Sequence, residues 1–315
     1  MLWEAKKYMG LMKYHNPVLL NECISGLNIN PKGVYVDVTF GGGGHSSLIL
    51  KKLNGGKLFA FDQDESTKSN SLNNSAFKLI HANFRYLKSF LKMDGVINID
   101  GLLADLGVSS YQFDIPSRGF SIRLDGELDM RMNLGSDLSA KDVINNYSEE
   151  SLIEIFYKYG ELRNSRKIAK AIINARKESS INTTNQLINV ISNVTPEKHR
   201  NKFLARVFQA IRIEVNDEIS ALKEMLLSAQ ELLNPNGRLV VLSYHSLEDR
   251  LVKNLMKKGN FDGKIEKDFF GNPIKKLQEI NSKVIMASDL EIQENSRARS
   301  AKLRIAEKIN ENEEE

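Results

Sequence analysis

The chain has 315 residues, 41% of them hydrophobic and 27% charged, enough for one large domain or two ordinary ones of the soluble globular type. Its single cysteine, Cys23, excludes an internal disulfide and a cysteine-rich zinc site, and no apolar run reaches the length of a membrane span. With no secretory signal discernible, a reducing, cytoplasmic setting is expected, while a formal charge of +4 does not by itself select a partner.

In chain order, Met1–Leu11 reads as loosely attached, and Met12 is the expected true start. Val34–Val38 reads as a buried strand, followed by a glycine loop and a helix over His45–Leu53. Lys57–Phe61 is a second strand with Asp62 at its carboxyl end. Phe77–Ile80 is a short third, and Ile99–Ala104 a fourth that ends at Asp105. Strand, helix and strand at this spacing imply right-handed crossovers and a parallel sheet.

From about Ser117 to Lys202 only helical periods are visible: Ser139–Tyr147, Glu149–Tyr159, Arg163–Lys177 and Thr184–Asn193. Asp137, Ser148 and Thr183 are expected N-caps for three of them. One long helix is expected from Phe203 to Leu233, ended by Asn234-Pro235-Asn236-Gly237, and Arg238–Tyr244 returns to strand. The simplest division is a discontinuous core, residues 1–116 and 203–315, with an inserted helical subdomain over residues 117–202. The tail Glu311–Glu315 carries four glutamates and is expected to be disordered.

Open parallel sheets bind ligands beyond the carboxyl ends of their strands. The run Gly41-Gly42-Gly43-Gly44 lets backbone approach a ligand, because glycine tolerates positive φ and has no side chain in the way. Asp62 lies about twenty residues on, where a carboxylate can accept from both ribose hydroxyls. Asp105 ends the fourth strand at the same edge. A glycine turn with two solvated acids is the bland alternative, and both aspartates falling at strand ends weigh against it. The run matches the dinucleotide fingerprint only loosely, since His45 and Ser46 stand where close helix–strand packing would prefer a glycine. An adenosine ligand without phosphates fits better, which points to S-adenosylmethionine.

Ordered motifs extend this reading: His15-x-Pro17-Val18-Leu19-Leu20-x-Glu22, Asp37-x-Thr39-Phe40 with the glycine run and His45, and Asp105-Leu106-Gly107-Val108-Ser109-Ser110. Arg118-Gly119-Phe120-Ser121 and Asp129-Met130-Arg131-Met132 follow. Phe208-Gln209-Ala210-x-Arg212-Ile213, then Ser243-Tyr244-His245-Ser246-Leu247-Glu248-Asp249-Arg250, and finally Arg297-Ala298-Arg299-Ser300 complete the series. In these motifs, from about Tyr14 to Ile309, the chain resembles the ribosomal small-subunit methyltransferase H family. The resemblance implies an S-adenosylmethionine-dependent methyltransferase that acts on RNA; with the element pattern above, the expected fold is an α/β, Rossmann-like methyltransferase sheet with an inserted all-helical subdomain, expected to recognise the RNA substrate. The resemblance further implies methylation of the exocyclic N4 of a cytidine, cytosine 1402, in 16S rRNA of the small subunit's decoding region. It also implies cofactor contacts at Gly43, Gly44, His45, Asp62, Phe84, Asp105 and Gln112, of which Phe84 and Gln112 rest on the resemblance alone. For Phe84 a core aromatic, and for Gln112 a solvated loop amide, are the alternatives.

A cytosine amine is a poor nucleophile until its conjugation with the ring is weakened. A hydrogen-bond acceptor on one N4 hydrogen does this, and Asp105 or a carbonyl from Leu106 to Val108 is placed for it. The chain lacks the Asp/Asn-Pro-Pro-aromatic motif of many amino-group methyltransferases, so Tyr111, Phe113, Phe120 and Tyr244 are the candidates for stacking on the base. His245 could take the released proton, contact a phosphate, or simply cap the helix that begins at Ser246.

Arg163, Arg166, Lys167 and Lys170 are spaced for one helix face and are candidate phosphate contacts. Arg297 and Arg299 form a second basic group, with Lys302 and Arg304 expected to point outward from a strand whose buried face carries Ala301, Leu303 and Ile305. No metal-ligand cluster is visible, so no metal is assigned; a homodimer is left open. The rivals are a nicotinamide-dependent oxidoreductase, disfavoured by the missing second nucleotide-binding half, and a non-catalytic RNA-binding protein, which has no use for paired acids above a glycine loop.

Overall fold

The computed structural model describes residues 17–310. The expected start at Met12, the loose first residues, His15 of the first motif and the glutamate tail all lie outside the described residues.

A seven-stranded sheet forms the centre, ordered β3-β2-β1-β4-β5-β7-β6. Its strands are β1 (Val34–Asp37), β2 (Lys57–Asp62), β3 (Phe77–His81), β4 (Ile99–Asp105), β5 (Leu233–Ser243), β6 (Leu277–Glu279) and β7 (Lys302–Lys308). β1 to β5 pair in parallel, whereas β7 runs antiparallel between β5 and β6. The strand order reverses at β1, between β2 and β4, so a ligand crevice opens at the carboxyl ends of β1 and β4.

The inner strands are short continuous apolar runs because both faces are covered. Helices α1 (Leu20–Leu27) and α2 (Gly44–Lys52) cover one face, where Cys23, Ile24, Leu27 and Ile49 pack with Leu103 and Val240. The other face carries α3 (Leu87–Met93), with Leu87 and Leu91 in a cluster with Val36, Leu102 and Val241.

After β4 come the short α4 (Ser110–Asp114) and then α5 (Ala140–Asn146), α6 (Glu149–Lys158), α7 (Ser165–Glu178), α8 (Thr184–Val190) and α9 (Arg200–Asn216). These build a separate core from Val143, Phe156, Ile172, Leu187 and Val207. Ser148 and Thr183 cap α6 and α8 as expected, but Ser139 rather than Asp137 caps α5, in a reciprocal pair with Asp142.

The expected single helix from Phe203 to Leu233 is two. Asp217 adopts left-handed φ 46° and ψ 44° between α9 and α10 (Glu218–Leu232). The apolar period continues across the break, which is why the pattern concealed it. Asn216 fixes the corner: its amide donates to Met130 O and Arg212 O at 2.8 Å and accepts from Met132 N at 2.7 Å. Phe203, Val207 and Ile211 of α9 therefore belong to the helical core, whereas Leu222, Met225 and Leu226 of α10 pack on the sheet.

β5 begins earlier than Arg238 because Asn234-Pro235-Asn236-Gly237 enters the strand through a register shift opposite Ile99 and Gly101. After β5 come α11 (Ser246–Lys258), β6, α12 (Asp289–Glu294) and β7. The outward placement of Lys302 and Arg304 is corrected: β7 is an interior strand roofed by α11, and Asp249 of α11 receives Lys302 Nζ at 3.0 Å and Arg304 Nε at 2.7 Å.

Candidate active site

The chain leaves β1 through a loop that only glycine fits. Gly41 and Gly43 have φ of +51° and +76°, and a Cβ on Gly44 would stand 2.2 Å from Pro17 Cγ. Asp62, at the end of the neighbouring strand, holds this loop: Oδ2 accepts from Gly41 N and Oδ1 from Asp64 N, each at 2.8 Å. Each oxygen keeps lone-pair capacity, which is what a ribose diol requires. Burial pushes the Asp62 carboxyl up to about 6, against the lowering effect of the two amide hydrogen bonds.

A cleft opens beside the ends of these strands. It is lined by Thr39, Gln63, Asn83, Phe84, Leu106 and Gly107, together with Met132, Asn216, Glu218, Ala221, Leu222 and Glu248. Phe84 is half-buried, packing on the sheet's core while also lining the cleft. Gln63 and Asn83 were missed by sequence reasoning. Asn83 caps the turn that presents Phe84 and donates to Gln63 Oε1 at 2.8 Å. An Asn directly before an aromatic, just past a strand, is the signal that could have found it.

Asp105 ends β4 with its surroundings fixed on three sides. Its amide donates to Thr39 Oγ1 at 2.6 Å, Oδ1 accepts from the Tyr244 hydroxyl at 2.6 Å, and Oδ2 stands 3.9 Å from His45 Nδ1. Burial raises its carboxyl above the usual range, and His45 and Tyr244 offset this only in part. His45 is buried, with Nε2 3.3 Å from Val18 O, so it ties the glycine loop to the chain before α1.

Gln112 is 4% exposed and both ends of its amide are used internally. Oε1 accepts from Ser109 N at 3.2 Å, and Nε2 donates to Asp64 Oδ2 at 2.6 Å. Arg118 completes this hub, donating to Asp64 Oδ2 at 2.8 Å, Arg131 O at 2.8 Å and Met132 O at 3.0 Å. The loops after β2 and β4 and the entry to the helical unit are thereby locked together. Burial works to raise the Asp64 carboxyl, but Ser66, Gln112 and Arg118 hold it below its usual range. Gln112 thus belongs to this hub and is not among the residues that line the cleft.

His245 is the N-cap of α11, its Nδ1 accepting from Glu248 N at 3.4 Å while Glu248 Oε2 accepts from Tyr244 N at 2.9 Å. Its Nε2 lies 3.2 Å from Glu248 Oε1. Arg212 Nε and Nη2 reach both oxygens of Glu218, at 2.7 and 2.9 Å. Burial works to raise Glu248, yet His245 and Arg212 hold it below the usual range. Ligating atoms of Glu218, His245 and Glu248 come within 4.8 Å of one another. With the Arg212 fork occupying Glu218, this is an ionic network joining α9, α10 and α11 at the cleft wall.

Of the four aromatics considered for stacking, Phe120 is buried in the helical core and Tyr244 has committed its hydroxyl to Asp105. Tyr111 is 42% exposed and Phe113 is half-buried. Arg166, Lys167 and Lys170 are exposed on α7, and Arg163 is exposed two residues before that helix starts. Arg297 is not free: it donates to Asp114 Oδ1 at 2.8 Å and lies 5.6 Å from the Phe113 ring centroid, pinning the loop after β4, while Arg299 is exposed.

Curated relatives are similar along nearly their whole length. A Bacteroides thetaiotaomicron protein is 55% identical over 298 residues, covering 94% of this chain and 98% of its own. One from Flavobacterium johnsoniae is 55% identical over 302 residues (95% and 99%), and one from Cytophaga hutchinsonii 54% over 297 residues (94% and 99%). All three are named ribosomal RNA small subunit methyltransferase H. Among solved structures, an rRNA methylase from Streptococcus thermophilus aligns over 92% of this chain and 94% of its own at 11% identity with a TM-score of 0.41, too loose a likeness to add to these. The description "MraW methylase family" matches residues 12–309, a span that includes the glycine loop, the residues that line the cleft and the last strand, and the chain belongs to that family.

Proposed function

We propose that the chain transfers a methyl group from S-adenosylmethionine to the exocyclic N4 of a cytidine, cytosine 1402, in the RNA of the small ribosomal subunit. The observation that carries this is the convergence at the β1–β4 switch point of a side-chain-free loop, a diol acceptor at Asp62 and an aromatic face at Phe84, in a chain so similar to small-subunit RNA methyltransferases. In this reading the Gly41–Gly44 backbone, Asp62 and Phe84 hold the adenosine, with His45 and Gln112 setting loop positions. When bound, S-adenosylmethionine supplies an electrophilic sulfonium methyl group.

The chain's own task is orientation of the amine. Asp105 is engaged by Tyr244 and faces His45, and is assigned to the cofactor side. The acceptor that draws on an N4 hydrogen is then a carbonyl of Leu106 or Gly107, both at the cleft wall. Tyr111, exposed just beyond, offers a stacking face. His245 is a positioning residue that holds Glu248 and the start of α11.

We further propose that the helical unit recognises RNA through Arg163, Arg166, Lys167 and Lys170, with Arg297 and the exposed Arg299 as the second basic group, and that its boundary falls at Asp217 rather than at residue 203. The target base must be unpaired or extruded to reach the cleft. Among the described residues no helix is long and apolar enough to cross a membrane. Work on ribosomes in the cytoplasm is part of the proposal. The test is titration with S-adenosylmethionine and with NAD, followed by tritium transfer to small subunits and to naked 16S RNA. Binding of S-adenosylmethionine and transfer to either RNA form supports the reading; no binding and no transfer refutes it.

A further inference from the structure

Between α11 and β6 the chain projects an arm that none of this chemistry uses. At its tip Phe269 and Phe270 are 98% and 85% exposed, above every other large apolar side chain described. Their rings sit edge to face, centroids 5.7 Å apart at 86°. The tip is a built turn. Asp268 Oδ1 accepts from Phe270 N and Asn272 N, each at 2.8 Å, and Asp268 N donates to Asn272 O at 2.9 Å. Gly271 turns the corner at φ +91°, and Lys267 bridges to Pro273 across the stem. Two large rings are thus held in water by a turn that packs them on nothing.

Their surroundings are basic. Residues 253–276 contain seven lysines against three acidic residues, a surplus equal to that of the whole chain at +4. Lys264, Lys267 and Lys276 of the arm are exposed. One of the acids, Asp268, is occupied in forming the turn. Aromatic faces flanked by ammonium groups match the alternating bases and phosphates of an unpaired polynucleotide, with bases stacking on the rings and lysines meeting the backbone.

We propose that this arm is a second RNA contact, gripping an unpaired segment of the RNA substrate away from the target nucleotide; the proposal rests on the reading of RNA as substrate. α11 starts at the carboxyl end of β5 beside the cleft and runs back for 13 residues, about 20 Å. β6 then begins opposite Lys308, at the far end of β7 from Lys302. The arm therefore lies at the edge of the sheet opposite the cleft. It adds affinity for the RNA and leaves the transfer step untouched.

The experiment uses the full chain and the variant F269A/F270A, with unchanged thermal midpoints expected because neither ring packs on the fold. Anisotropy with a labelled, unpaired RNA of about 12 nucleotides should show affinity weakened roughly tenfold or more. KM for the small subunit should rise with kcat unchanged. A second variant, K264Q/K267Q/K276Q, should flatten the salt dependence of binding. Unchanged RNA affinity and KM in F269A/F270A overturns the proposal. So does a loss confined to binding of anionic phospholipid vesicles, or to self-association in sedimentation. A wild-type chain that transfers no methyl group to any RNA overturns the functional reading instead, and the anisotropy measurement still judges the arm.

Discussion

If Asp62 holds a ribose diol as a carboxylate, cofactor affinity must fall in acid, and the structure says where. Burial lifts this carboxyl from 3.8 to about 6, because two amide hydrogen bonds, from Gly41 and Asp64, do not fully offset the loss of water. A ligand that needs the ionised form meets it almost entirely at pH 8, about half at pH 6 and roughly one-tenth at pH 5. The association constant in the free protein should therefore drop about tenfold between pH 8 and pH 5, with the bend near 6 rather than at the ordinary carboxylate value. The sign is fixed: proton uptake by the free protein competes with ligand. The assay is calorimetric titration of S-adenosylhomocysteine, which lacks the reacting methyl, in buffers from pH 5 to 8. D62N should bind weakly and without this bend, since an amide offers one acceptor where Gly41 N and Asp64 N need two. An affinity that is flat from pH 8 to pH 5 in the wild type, or a bend that survives in D62N, would refute the role assigned to Asp62.

Three further outcomes are expected. R118M leaves the Asp64 carboxylate buried without its cation, and chemical denaturation should show a loss of about 3 kcal/mol at neutral pH. Because folding depresses the Asp64 pKa, that contribution exists above 3.8 and disappears as pH falls further, so wild type and variant should converge in acid. Y244F removes the hydroxyl that donates to Asp105, raising an already elevated carboxyl, so the acid limb of kcat/KM should move to higher pH. R163Q/R166Q/K170Q should weaken RNA binding and lower the log–log salt slope by about 2, with no change in cofactor affinity.

Much of this site could be read before any coordinates. The glycine loop, Asp62 and Asp105 announce themselves because a parallel sheet places strand ends together, and strand ends are visible as apolar runs that stop at an acid. Gln63, Asn83 and the corner at Asn216-Asp217 could not be read that way. The corner depends on Asn216 bonding to Met130 and Met132, 86 and 84 residues away, against an apolar period that favours an unbroken helix. Spacing alone also misplaced Lys302 and Arg304, since alternation in β7 says which residues share a face but not that α11 covers the polar one. Arg297 shows the same limit, since residue type suggested an RNA contact while geometry makes it a loop clamp; for His245 the helix cap was already one of the readings its position offered.

The most direct test of the central claim is the identity of the product. Small-subunit RNA incubated with the full chain and isotope-labelled S-adenosylmethionine, then digested to nucleosides and separated by mass, should yield label in N4-methylcytidine alone and from a single nucleotide. Label in 5-methylcytidine, in a ribose methyl or in an adenosine, or label spread over many sites, would contradict the account.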